Sequence, residues 1–302
     1  MLKKLPNKLQ EKGQALLVVL LTMAVILTVV LSVISRSITD ISTTTYSEEA
    51  LRAFSAAEAG VEKALIVGTD VSENVGDASF IADISGLAEG STGFNYPVDV
   101  NSGESIYLWF VSHDPSGTLA CNPSGGLPCY TGSSLQFCWG REGTGVDANS
   151  PAVEISVFYD TTQAGVGSGN FSTVKVARTT FDPFAGRNPA NNFLADQGSC
   201  TVSGTNYAFS SGFINLASFG IPCLGTRGCL LTARVRTLYN NLAHPIGLNV
   251  NGGTLPSQGK YIESTGTTTS QASKRKIQAY RTYGGPPPIF DAAVFSEQSV
   301  SK

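Results

Sequence analysis

The spacing of apolar and polar positions divides the chain into two unlike parts. Residues 14–35, QALLVVLLTMAVILTVVLSVIS, form a run of 22 without a formal charge. The run is apolar on every side rather than along a stripe, which predicts a helix with no solvent face. At 1.5 Å per residue it spans roughly 33 Å, enough for a hydrocarbon layer of about 30 Å. Residues 36–66 continue without proline, and their only glycine is Gly60. There Leu51, Phe54, Ala57, Val61 and Leu65 recur at three/four spacing, while Arg52, Glu58, Glu62 and Lys63 fall mostly elsewhere. We expect one helix over both stretches, packing through Leu51, Phe54, Ala57, Glu58 and Val61. The β-branched Thr43, Thr44 and Thr45 mark an expected soft point in it.

Beyond residue 66 the period changes to that of strands. Runs such as SIYLWFVS (105–112), SLQFCW (134–139), AVEISVFYD (152–160) and LLTARVRTLYN (230–240) are separated by turn-forming GTGVDANSP and GVGSGN. The pair KYIESTG (260–266) and KRKIQAYRTY (274–283) reads as a closing hairpin joined by a polar connector. No long helical period competes, although 76–86 has room for a short helix. An antiparallel sheet is expected to pack on the outer half of the N-terminal helix. The segment from 284, GGPPPIFDAAVFSEQSVSK, begins as a polyproline-type stretch.

Composition sharpens this division. Residues 1–66 hold two glycines and one proline; the other 30 glycines, 13 prolines and all six cysteines follow. A formal charge of −3 argues against a nucleic-acid binder driven by bulk charge. With 42% hydrophobic residues the chain can build a core, so wholesale disorder is excluded. Two histidines leave little material for His-based catalysis or a multi-His metal site.

The N-terminal residues carry Lys3, Lys4, Lys8 and Lys12 against Glu11, which favours an N-in, C-out orientation of the apolar helix. The run is longer than a secretory signal core and ends in SVISRSITD with no small-residue cleavage pattern. Cys121, Cys129, Cys138, Cys200, Cys223 and Cys229 then lie in an exported part, where disulfides are expected; six cysteines allow 15 connectivities. The Cys121–Cys129 and Cys223–Cys229 loops can each close locally, which leaves Cys138 with Cys200. Reduced buried thiols remain an alternative. A zinc site is the weaker rival, since no C-x-x-C occurs.

The segments KGQALLVVLL (12–21) and EEALRAFSAAEAGVEKAL (48–65) together resemble the N-terminal region of type IV prepilins, and of PilX-like minor pilins in particular. The resemblance covers about residues 10–66. It implies a leader peptide at 1–13, cleaved between Gly13 and Gln14 by a prepilin peptidase, and a pilin-like α+β fold. That fold has a membrane-spanning helix at 14–35, an amphipathic extension at 36–66, a β-rich head at 67–283 and a Pro-initiated tail at 284–302. Partners would be the membrane, other pilins through the helix, and DNA or a surface ligand at the head. Major pilins usually begin with phenylalanine and carry an acidic fifth residue; here Gln14 and Val18 stand at those positions. The missing carboxylate fits a priming or tip subunit better than a repeating one.

Chemistry-bearing motifs elsewhere are sparse. His113-Asp114-Pro115-Ser116 brings together three triad residue types, but sequence neighbours rarely form a triad and a turn is expected. GVGSGN (165–170) lacks a following helix, and Lys274, Arg275 and Lys276 read as an exposed strand start or an anionic-surface contact. No enzyme, cofactor or metal is implied. Three functional classes remain: a minor pilin that primes, caps or decorates a filament; a filament-tip binding module for adhesion or DNA uptake; and an uncleaved membrane-anchored surface protein.

Overall fold

A computed structural model describes residues 11–270 and 273–285, with side chains from residue 14. The chain is α+β: one long N-terminal helix followed by a β-rich body. It divides into two compact units, Met1–Ile84 with Ile262–Ala279, and Ser85–Tyr261 with Tyr280–Lys302. Most of the expected leader and the tail beyond Gly285 lie outside the described residues.

The first unit is built on helix α1, Glu11–Val67, 57 residues long. The absence of internal proline lets it run on for about 85 Å. Thr43, Thr44 and Thr45 do not interrupt it. Each hydroxyl donates back to the carbonyl four residues earlier, at 2.9, 2.9 and 3.0 Å, which occupies the group that would otherwise compete with the helix. The helix stops at Gly68, whose φ of +78° turns the chain left-handed. The Gly68 N–H closes the last turn on Ala64 O at 2.8 Å.

A four-stranded sheet joins the helix, in the order Val71–Val75, Ala78–Gly86, Gly259–Thr268, Lys274–Thr282. The first two strands form a hairpin over Gly76-Asp77, with Gly76 at φ +57°. Residues 76–86, which had room for a short helix, are therefore turn and strand. Alternate Ala78, Phe80 and Ala82 are buried, a period of two written mostly in small residues.

The helix packs on this sheet through a face different from the expected one. Ala53, Ala56, Ala57, Gly60 and Ala64 are buried, against Phe80, Ala82 and Ile262 among others. Leu51 and Phe54 are 64% and 44% exposed, Glu58 is exposed and Val61 half-buried; of the five expected packing residues only Ala57 is buried. The cause is the close approach of a strand to the helix. A Cβ placed on Gly266 would lie 2.6 Å from Ala57 N and closer still to Ala53 O. Only alanine and glycine leave room for that separation, so the large apolar side chains turn outward.

The second unit is an antiparallel sandwich. One sheet runs Cys200–Val202, Thr205–Asn215, Ser134–Arg141, Ile246–Asn251, Gly93–Asn95. The other runs Ser105–Trp109, Leu230–Leu238, Ala152–Tyr159, Lys175–Phe181. Inward residues of both, including Phe137, Trp139, Leu248, Leu108, Ile155 and Val235, form one core. A two-stranded ribbon, Ser112–His113 with Leu119–Ala120, stands apart from them. The cysteines pair as Cys121–Cys129, Cys138–Cys200 and Cys223–Cys229. Cys138–Cys200 ties a central strand to an edge strand across the one between them. A further clip is Arg187, whose guanidinium holds Asp182 through two hydrogen bonds of 2.8 and 2.6 Å and lies 4.5 Å from the Tyr239 ring centre.

Candidate functional site

The most unusual surface among the described residues is the first half of α1. Every side chain from Gln14 to Ser47 is exposed. The most apolar 18-residue window has a mean hydropathy of 3.0, and none of it is buried. Leu16, Leu20, Leu27 and Leu31 are 65, 60, 62 and 58% exposed. An apolar surface of this extent needs lipid or another apolar helix around it. Two of its hydroxyls are met within the helix: Thr22 and Thr28 donate to Val19 O and Val25 O at 2.9 and 2.8 Å. The helical backbone and these two hydroxyls are thus satisfied inside the helix, as a hydrocarbon environment demands. The helix is long and apolar enough to cross a membrane, and three disulfides fit an oxidising, extracytoplasmic compartment for the β-rich body.

Gly13 and Gln14, the expected cleavage pair, lie within α1. Val18 is 58% exposed on the apolar surface. Further along, the expected packing residues separate into two groups. Ala57 belongs to the face taken up by the first unit's own sheet. Leu51, Phe54 and Glu58 lie outside that face and are free for a partner. Charged groups beside them pair loosely: Arg52 is 4.0 Å from Glu48 and 3.7 Å from Asp77, all exposed. Lys63 pairs with Glu73. Such solvated pairs contribute well under about 1 kcal/mol each, so they orient this surface more than they stabilise it. The buried stripe of small residues was missed because a search for large apolar side chains passes over it; the Ala-Ala-x-Ala-Gly string was the available signal.

The remaining motifs have structural employment. Asp114 Oδ1 accepts from Ser116 N, Ser116 Oγ and Thr118 N at 2.9, 2.6 and 2.9 Å, forming a turn. The Ser116 hydrogen bond foremost holds this exposed carboxyl below its usual range. His113 takes no part, so no triad forms. In GVGSGN, Gly167 and Gly169 adopt positive φ, and the loop leads into strand Lys175–Phe181 rather than a helix. Lys274, Arg275 and Lys276 are exposed at a strand start, with Lys276 2.5 Å from Glu263. Among the described residues no cluster of three or more His, Cys, Asp or Glu has metal-binding geometry.

Comparison with protein-family models, with curated proteins and with solved structures finds no match.

Proposed function

We propose that this chain is a non-enzymatic minor pilin that primes, caps or decorates a type IV pilus-like filament. The observation that carries the reading is the wholly uncovered, uncharged surface of α1 over 14–35, continuous with a segment anchored on a sheet through its alanine face. In the membrane this surface meets lipid. After removal of residues 1–13 by a prepilin peptidase, the same surface meets other helices. One apolar contact replaces another, so a subunit leaves the bilayer at little net cost in hydrophobic burial. Leu51 and Phe54, uncovered within the unit, extend the contact past the apolar run.

Val18 points to the position in the filament. A carboxylate at the fifth mature position would serve a neighbour's terminal amine. A subunit at the tip has no neighbour above it to serve, so valine is tolerated there. Quantitative proteomics of sheared filaments, with gold labelling of the β-rich body, tests the position. Label confined to filament ends supports it, and label along the shaft at parity with the most abundant subunit contradicts it. A tip that also binds a ligand is the second reading, favoured by an uncharged aromatic groove in the second unit. An uncleaved surface anchor is separated from both by the native N-terminus.

A further inference from the structure

The second unit carries an open groove of about 560 Å³ with no charged residue in its wall. It lies on the outer face of the sheet that contains Ser105–Trp109 and Ala152–Tyr159. Strand register puts Trp109, Thr232, Phe158 and Val176 in one row across that sheet, on the side away from the sandwich core. Trp109, Thr232 and Phe158 line the groove, and Phe171 joins them from the loop before the last strand. Phe171 and Val176 are 52% and 42% exposed. The next row on the same face holds Tyr107, Arg234, Ser156 and Arg178. Arg234, 3.2 Å from Glu154, is 1% exposed although it projects away from the core.

The chain is led onto this face and held there. The carboxamide of Gln258 accepts from Trp109 N at 2.8 Å and donates to Trp109 O at 2.7 Å, and Gln258 O accepts from Tyr283 N at 3.1 Å. One residue thus ties the backbone at Tyr283 to the first strand of the sheet. The Tyr283 ring lies flat on His113, centroids 3.9 Å apart at 20°. Gly284 and Gly285 then line the groove themselves. A Cβ on Gly285 would run into the Tyr107 ring, so the backbone there lies directly on that ring. The described residues end at this point, over strand Ser105–Trp109 and at the rim of the groove.

The sequence that follows Gly285 is PPPIFDAAVFSEQSVSK. Three prolines in polyproline geometry advance about 3.1 Å each, about 9 Å in all. Strands Ser105–Trp109 and Ala152–Tyr159 lie two places apart in the sheet, which is about 10 Å at about 4.8 Å per step. A chain crossing the sheet from Gly285 therefore brings Ile289 and Phe290 above Phe158 and Phe171. Asp291 comes next, toward the row of Arg234 and Arg178. The charges agree: residues 286–302 carry Asp291 and Glu297 against Lys302, net −1. The outer face carries Arg178, Arg234 and Arg236 against Glu154, net +2. A tether this short gives an effective concentration on the order of millimolar, so one aromatic anchor is enough to hold the segment.

We propose that the segment following Gly285 folds back over its own chain, seating Ile289 and Phe290 in the groove and placing Asp291 over Arg234 and Arg178. The groove is then closed by the chain itself, and an outside ligand has to displace the segment to enter. The test uses the full chain in detergent micelles with 5-fluorotryptophan in place of its two tryptophans, so that fluorine NMR shows Trp109 at the groove and Trp139 in the core. Ending the chain at Gly285 should shift the Trp109 signal and leave Trp139 unmoved, the latter reporting an intact fold. A synthetic peptide of residues 286–302 should restore the signal saturably, at about millimolar concentration, and should leave the full chain unchanged. Phe290→Ala and Asp291→Arg should each move the Trp109 signal part of the way to its position in the shortened chain. With p-benzoylphenylalanine at position 290, irradiation should form cross-links within one chain, to peptides holding Phe158 or Phe171, at a yield independent of protein concentration. A Trp109 signal indifferent to loss of the segment, or moving only together with Trp139, would overturn the proposal. Cross-links that join two chains, or that fall outside this sheet face, would do the same.

Discussion

Replacing Gly266 by alanine tests the close helix–strand contact of the first unit most sharply. The new Cβ would stand 2.6 Å from Ala57 N and nearer to Ala53 O, both backbone atoms of α1. Neither can rotate away, so strand and helix must separate and the buried alanines lose contact. Overpacking of this kind costs about 1–3 kcal/mol, and a backbone obstacle places it near about 3. The alanine recovers about 0.5–1 kcal/mol by restricting the unfolded chain, which leaves about 2 kcal/mol. Gly60→Ala is the control. Its Cβ meets the Ser264 hydroxyl and the Phe80 ring, the latter at 2.8 Å. Those are side chains that can yield, and alanine gains about 1 kcal/mol in a helix interior; the net cost is about 1 kcal/mol or less. Amide hydrogen exchange of the full chain in micelles separates the two. Protection of Ile262 and Ser264 should fall about 30-fold in Gly266→Ala and less than about fivefold in Gly60→Ala. Strand Ser134–Arg141 in the second unit should not respond. Unchanged protection in Gly266→Ala would refute the argument that the contact is made of backbone and small side chains.

Three further outcomes are expected. Joint replacement of Cys138 and Cys200 by alanine should cost about 4 kcal/mol in denaturant unfolding followed by Trp139 fluorescence, against about 2–3 kcal/mol for either short-loop pair, because 62 positions separate the cysteines and a longer loop constrains the unfolded chain more. Leu51→Ala with Phe54→Ala should leave the monomer's melting temperature nearly unchanged, since both side chains are exposed, yet lower recovery in sheared filaments; equal recovery would remove these residues from the proposed contact. Stability of the second unit should be flat between about pH 6.5 and 10, above which the Tyr207 hydroxyl, pushed up to about 12 by burial, resists the ionisation open to the unfolded chain. On acidification stability should fall in two steps. His113, held near 4 by burial, resists a proton that the unfolded chain takes up from about 6.5, so its contribution is lost between about 6.5 and 4. The carboxyl of Asp160 is held near 2: burial works against this, and hydrogen bonds from Thr162, Gly165 and Thr173 outweigh burial, so its contribution is lost from about 3.8 to 2. A pH titration of the unfolding midpoint that is flat from 7 to 4 would contradict the first step.

Much of the architecture was legible because it is written in period and punctuation. Uniform apolarity over 14–35 and the absence of proline to residue 66 specify a long helix, and alternating runs such as AVEISVFYD specify strands. What escaped was written in small residues or over long distances. Ala78, Phe80 and Ala82 alternate, but alanine is weakly apolar and favours helix, so the strand looked like a helix. Leu51 and Phe54 carried the expected helix face because they are large, yet the close approach of Gly266 selects Ala53, Ala57 and Gly60. The groove was illegible for a different reason. His113 was visible within a polar string, but its meaning depends on Trp109, Gln258 and Tyr283, which only the folded chain brings together.

The proposed function is tested most directly by where the mature chain begins. Intact-mass and N-terminal mass spectrometry of the native protein, taken from membranes and from sheared filaments, measures this. The account predicts a mature chain beginning at Gln14. Loss of residues 1–13 removes four lysines and one glutamate, a net +3, and takes the formal charge from −3 to −6. In a Gly13→Lys variant only the full-length precursor should be found, held in the membrane. Native protein that retains Met1, or that begins after residue 35, would contradict the account.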